Sequence, residues 1–95
     1  MFRHVVLLTF DGPADVAEGI AASLTSLPGL IPEIRSYQIG LDAGINPGNA
    51  SLAVIADFDD QDGYLVYRDH PEHRRVIDEQ ITPVLTSRSA IQFAS

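Results

Sequence analysis

Residues 4–10 read His-Val-Val-Leu-Leu-Thr-Phe and stop against Asp11-Gly12-Pro13. So short a run of β-branched and aromatic side chains, closed by turn formers, predicts a strand. Alternation places Phe2, His4, Val6, Leu8 and Phe10 on one face. Val5 and Leu7 make the other face apolar as well. A strand of that kind belongs in a sheet covered on both sides.

The rest of the chain supplies the partners. From Ala14, the residues Val16, Ile20, Leu24 and Leu27 recur at helical spacing, and Pro28-Gly29 ends the run. Residues 34–41, Ile-Arg-Ser-Tyr-Gln-Ile-Gly-Leu, predict a second strand, and Asn46-Pro47-Gly48-Asn49 predicts the loop that follows. Residues 51–58, Ser-Leu-Ala-Val-Ile-Ala-Asp-Phe, form a third strand that is again apolar on both faces. Asp59 or Asp60 suits the cap of a short helix holding Tyr64, Leu65 and Tyr67. Pro71 suits the first turn of another helix, with Val76, Ile77, Ile81 and Val84, which Pro83 brings to a close. Residues 87–94 form the last strand. The order β-α-β-β-α-β is the ferredoxin-like arrangement of the α+β class, a four-stranded antiparallel sheet with helices on one face. Its other face would leave Val5, Leu7 and Ile55 open to water, so sheet-to-sheet homodimerisation is expected.

Ninety-five residues make one domain, here 1–95, with a thin core that gains from association. Thirteen acidic residues oppose six arginines, and lysine is absent. That balance excludes Schiff-base chemistry and speaks against nucleic acid, which is bound through clustered positive charge. Without cysteine there are no thiolate nucleophiles, disulfides or iron-sulfur ligands. No apolar run approaches the roughly 18 residues of a membrane span. The opening Met-Phe-Arg-His lacks the order of a secretory signal, so a cytoplasmic location is expected. Neither Gly-x-Gly-x-x-Gly nor the nucleotide-binding Gly-Lys-Ser/Thr signature occurs, and no cofactor is expected. The carboxylates of Asp57-Phe58-Asp59-Asp60-Gln61-Asp62 miss the calcium-loop spacing and read as a strand end and helix cap, so no metal is expected there.

Chemistry is therefore left to histidine, tyrosine, hydroxyls and carboxylates, and the dense segment is Tyr67-Arg68-Asp69-His70-Pro71-Glu72-His73. With Pro71 at the helix start, His73 falls in the first turn, where the helix field disfavours imidazolium and leaves a neutral proton acceptor. Tyr67 would be the complementary phenol, a donor to a developing enolate oxygen. His4, on the same strand face as Val6 and Leu8, is a polar group set into an apolar wall. Taken singly, His70 and His73 also read as ordinary helix-start residues, and His4 as a hydrogen-bonded core histidine.

Taken together, Arg3-His4-Val5-Val6-Leu7, Leu27-Pro28-Gly29 with Ile34, Ala53-Val54-Ile55-Ala56-Asp57-Phe58 and above all Tyr67-x-x-His70-Pro71-x-His73 resemble the stress-responsive A/B barrel family of the dimeric α+β-barrel superfamily. The resemblance spans nearly the whole chain. It implies a homodimer whose sheets pack face to face, with a pocket between each sheet and its own helices. A few members of that family cyclise polyketides without a cofactor, through residues that align with Tyr67 and His73; His4 aligns with a further pocket histidine. Leu52 stands where a cyclase-like member carries histidine, and Gln92 replaces an acidic residue common in the last strand.

Two functions follow as expectations. In the first, a cofactor-independent lyase or cyclase uses His73, Tyr67 and His4, with Val6, Leu8, Val54 and His70 holding an apolar or aromatic small molecule. In the second, a non-catalytic stress-responsive protein binds such molecules through the same pocket. A cofactor-free monooxygenase is a weaker third.

Overall fold

The computed structural model describes residues 1–95. β1 (Phe2–Phe10) leads into α1 (Ala14–Thr25) through a turn in which Gly12 takes φ +107°, a conformation that side chains with a Cβ resist. After a tight turn at Leu27–Gly29 come β2 (Ser36–Leu41) and β3 (Leu52–Phe58), joined by the loop in which Gly48 takes φ +80°. α2 (Gln61–Asp69) and α3 (Pro71–Val76) follow, and β4 (Leu85–Ala94) closes the chain. The strands lie in the order β2-β3-β1-β4, each antiparallel to its neighbour, as the ferredoxin-like reading requires. No helix is long and apolar enough to cross a membrane.

Register sorts the side chains. Residues directly opposed in an antiparallel pair share a face. On the helix-covered face three rows cross all four strands: Tyr37-Ala56-His4-Gln92, Ile39-Val54-Val6-Ala90 and Leu41-Leu52-Leu8-Arg88. The interior of these rows packs under Ile20 and Leu24 of α1, with Phe58, Tyr67 and Val76 completing the core. On the other face lie Gln38-Ile55-Val5-Ile91, and beside them Leu7 and Phe93. In the single chain Leu7 is 44% exposed, Ile91 57% and Phe93 41%. That face carries no helix.

Four strand starts differ from the expected ones, the first being β1, which begins at Phe2 rather than 4. β2 begins at Ser36 rather than 34, because Ile34 closes a turn on the Ile31 carbonyl and the Arg35 side chain is spread over Asp59 and the Pro32 carbonyl. β3 starts at Leu52, since the Ser51 hydroxyl accepts from the Phe10 N–H and ends the ladder. β4 starts earlier, at Leu85. Beyond Val76 the expected helix loosens into a wide turn over Ile77–Ile81 and then a tight one at Thr82–Val84. Pro83 has no N–H to return to the Glu79 carbonyl, so a regular helix cannot run through it.

The acidic segment divides among separate tasks. Asp57 accepts two hydrogen bonds from Arg3 at 2.7 and 2.9 Å and one from Ser36, which hold its carboxyl below the usual range. Asp59 pairs with Arg35, and the Asp60 carboxylate accepts from the Gly63 N–H as the cap of α2.

Candidate functional site

The corner between α2 and α3 builds the site. His70 precedes a proline and is accordingly extended, at φ −61° and ψ 134°, which ends α2 and re-aims the chain. Its Nδ1 accepts from the Glu72 N–H at 3.1 Å, so His70 caps α3. Three residues later His73 faces inward, 9% exposed, with its ring 4.1 Å from that of Tyr67.

Hydrogen bonding fixes the roles of the ring nitrogens. His73 Nδ1 lies 3.0 Å from the Arg68 carbonyl, which only accepts, so Nδ1 carries the proton and Nε2 keeps the lone pair. Burial lowers the pKa of the imidazole, against a smaller upward pull from that carbonyl. Burial thus adds an independent reason for the neutral form to the helix-start argument. A neutral imidazole with one nitrogen anchored by backbone is equipped to accept a proton at the other.

Tyr67 is 2% exposed, and its hydroxyl is 2.8 Å from that of Tyr37. Burial pushes the Tyr37 phenol up to about 12 and raises Tyr67 further, with the neighbouring phenols adding to the effect. Tyr67 is therefore held in its protonated form, which is equipped to donate a hydrogen bond. Tyr37 orients it, a part that the sequence reading missed. His4, 4% exposed, lies across the cavity with its ring 5.0 Å from Tyr64 and 6.1 Å from Tyr67. Its Nδ1 is 2.9 Å from the Gln92 amide nitrogen, a donor, which assigns the His4 proton to Nε2. Desolvation first, then the nearby Arg88 and His73, pull its pKa down to about 4.

These groups converge on a cavity of about 290 Å³ between the sheet and the α2–α3 corner. Val6, Leu8 and Val54 form its sheet-side wall, and His4, Tyr67 and His73 all line it. His70 does not, because its side chain is used as the cap. Leu52 is 2% exposed in the core and also stays off the lining. Ile77 and Ile81 of the wide turn line it as well, as do Arg68, Arg74 and Arg88. None of these five was read from the sequence as a site residue. The alternation of β4 could have flagged Arg88, but only once the register was known.

The profile of the stress responsive A/B barrel domain matches residues 2–95 of the chain. Among solved structures, a dimeric ferredoxin-like protein of unknown function from Thermobifida fusca is 40% identical, with a TM-score of 0.87 over 99% of this chain and 90% of that one. A dimeric protein of unknown function with a ferredoxin-like fold from Bacteroides fragilis is 27% identical, with a TM-score of 0.82 over 99% and 95%. A Dabb family protein from Mesorhizobium loti shares 18% identity, which speaks for the fold alone, at a TM-score of 0.83 over 99% and 95%. No curated protein matches.

Proposed function

From the premise that the chain belongs to the stress responsive A/B barrel domain family, we propose that it is a cytoplasmic homodimer whose sheet-helix cavity binds a small apolar or aromatic molecule and removes a proton from it without a cofactor. The observation that carries this reading is the pairing of an anchored, neutral His73 with the protonated Tyr67 at a ring distance of 4.1 Å inside an apolar cavity. In the reaction, His73 Nε2 takes a proton α to a carbonyl. Tyr67 donates its hydrogen bond to the enolate oxygen that develops, while Tyr37 shifts its own hydroxyl to donate to Tyr67. His4 Nε2–H is a second donor from the sheet side. The apolar wall folds an extended substrate so that the enolate carbon meets an internal carbonyl, whose π bond opens to an alkoxide that takes back the proton held on His73 Nε2, closing the ring as a cyclase requires.

Dimerisation is supported by the helix-free face with Val5, Leu7, Ile55, Ile91 and Phe93, and by the dimeric state of the Thermobifida fusca and Bacteroides fragilis relatives. An apolar sheet face of that extent belongs in an interface.

A second reading, a non-catalytic stress-responsive binding protein, is favoured by two observations. The Tyr67 hydroxyl already meets Tyr37, and His4 meets the amide of Gln92 rather than a carboxylate. The two readings part in a panel of linear polyketide thioesters and aromatic acids followed by product analysis and thermal shift. His73→Ala and Tyr67→Phe are each expected to lower turnover by on the order of 10² with the fold intact. Turnover that survives both changes refutes the assigned roles. Thermal shifts without product leave the binding protein.

A further inference from the structure

The chain is acidic, yet its cavity is not. Six arginines face thirteen carboxylates in the sequence, and three of the six, Arg68, Arg74 and Arg88, line the cavity without a single Asp or Glu among the lining residues. Two of the three have partners on the outer side. Arg68 is held by Asp69 at 2.9 and 3.1 Å, and Arg74 reaches Asp78 at 3.4 Å.

Arg88 differs from both. It makes no ion pair and no side-chain hydrogen bond, although the other five arginines each have a carboxylate partner. Its place in the fold is set by register: it opposes Leu8 on the edge strand β4, on the face that the helices cover. The apolar wall of Val6, Leu8 and Val54 thus ends in an uncommitted guanidinium, and two further arginines, Arg68 and Arg74, also line the cavity. A guanidinium presents a planar fork that fits a carboxylate or phosphate through two parallel hydrogen bonds. An uncharged ligand would leave that fork unused, and a cationic one would be repelled.

We infer that the cavity is selective for amphipathic organic anions, with the apolar body against Val6, Leu8 and Val54 and the acidic group, carboxylate or phosphate, on Arg88. This rests on the ligand pocket proposed above and narrows what enters it. The arrangement also orients the ligand, since an acid held at Arg88 directs the remainder inward toward His4, Tyr67 and His73.

The test is isothermal titration of the purified protein with three probes of one body, 4-butylbenzoate, 4-butylbenzyl phosphate and 4-butylbenzyl alcohol. Wild type is expected to bind at least one acid about tenfold more tightly than the alcohol, and Arg88→Gln to remove that preference. Which acid binds more tightly names the acidic group. Arg75→Gln removes the same charge from α3 outside the cavity lining and is expected to keep the preference, which separates a local fork from the net charge of the chain. Equal binding of acid and alcohol, or a preference that survives Arg88→Gln, overturns the inference and leaves the pocket standing. Binding of none of the three probes overturns the pocket itself.

Discussion

Leu7→Asp is expected to turn the dimer into monomers that keep their fold. In the single chain Leu7 is 44% exposed on the helix-free face, so a carboxylate there meets water and disturbs no core contact. In a face-to-face dimer the same position is enclosed, and an uncompensated buried charge costs several kcal/mol. Two-fold symmetry imposes the cost twice. Six or so kcal/mol corresponds to a loss of affinity on the order of 10⁴-fold, enough to separate a nanomolar dimer at micromolar concentration. Sedimentation should give half the wild-type mass with an unchanged circular dichroism spectrum. A variant that keeps the wild-type mass, or a wild type that is itself monomeric, sinks the dimer assignment.

Acid should weaken the fold well above the carboxylate range, and His4 should be the main cause. Its pKa in the folded protein is about 4, against an ordinary value of 6.5 in the unfolded chain. Between those values the unfolded chain holds a proton that the native state does not, so stability falls as pH drops through the window. At about pH 4.5 the loss from this group is roughly 2 to 3 kcal/mol. His73, also lowered by burial, adds in the same direction. Asp57 acts elsewhere: its depressed pKa makes its stabilisation present above the ordinary carboxylate range and lost only as pH falls below it. Urea unfolding at pH 7 and about 4.5, at one fixed protein concentration, measures the difference. His4→Phe, which keeps an aromatic ring beside Tyr64 and Tyr67, should flatten the dependence by about the amount assigned to His4. An unchanged slope would remove His4 from the account.

Much of the fold was legible because its signals are local. The alternation of residues 4–10 and 51–58, the helical spacing from Val16 to Leu27, and the prolines at 28, 71 and 83 each act within a few residues. Nearest-neighbour sterics and hydrogen-bond valence decide such features. The apolar second face of β1 and β3 was equally plain, and with it the case for a covering partner. His4 was legible because strand alternation puts it on the face of Val6 and Leu8, and Tyr67 and His73 because they crowd with His70 around a helix-starting proline.

The tertiary structure decided what depends on distant segments. Whether His70 would reach the cavity turned on the direction of the chain before Pro71, and the Glu72 N–H claimed its ring. Tyr37 became part of the site because β2-β3 pairing puts it in one row with His4, and Arg88 because β1-β4 pairing sets it against Leu8. Residues 37 and 67, or 8 and 88, share no local signal. Their meeting depends on strand register, where a slip of one residue would send every one of these side chains to the opposite face. From its sequence alone, then, this protein determines its elements, its apolar faces and the identity of its candidate pair, Tyr67 and His73. The enclosure of that pair, the tautomer of each imidazole and the cations around the cavity exist only where burial and pairing bring separate strands and helices together.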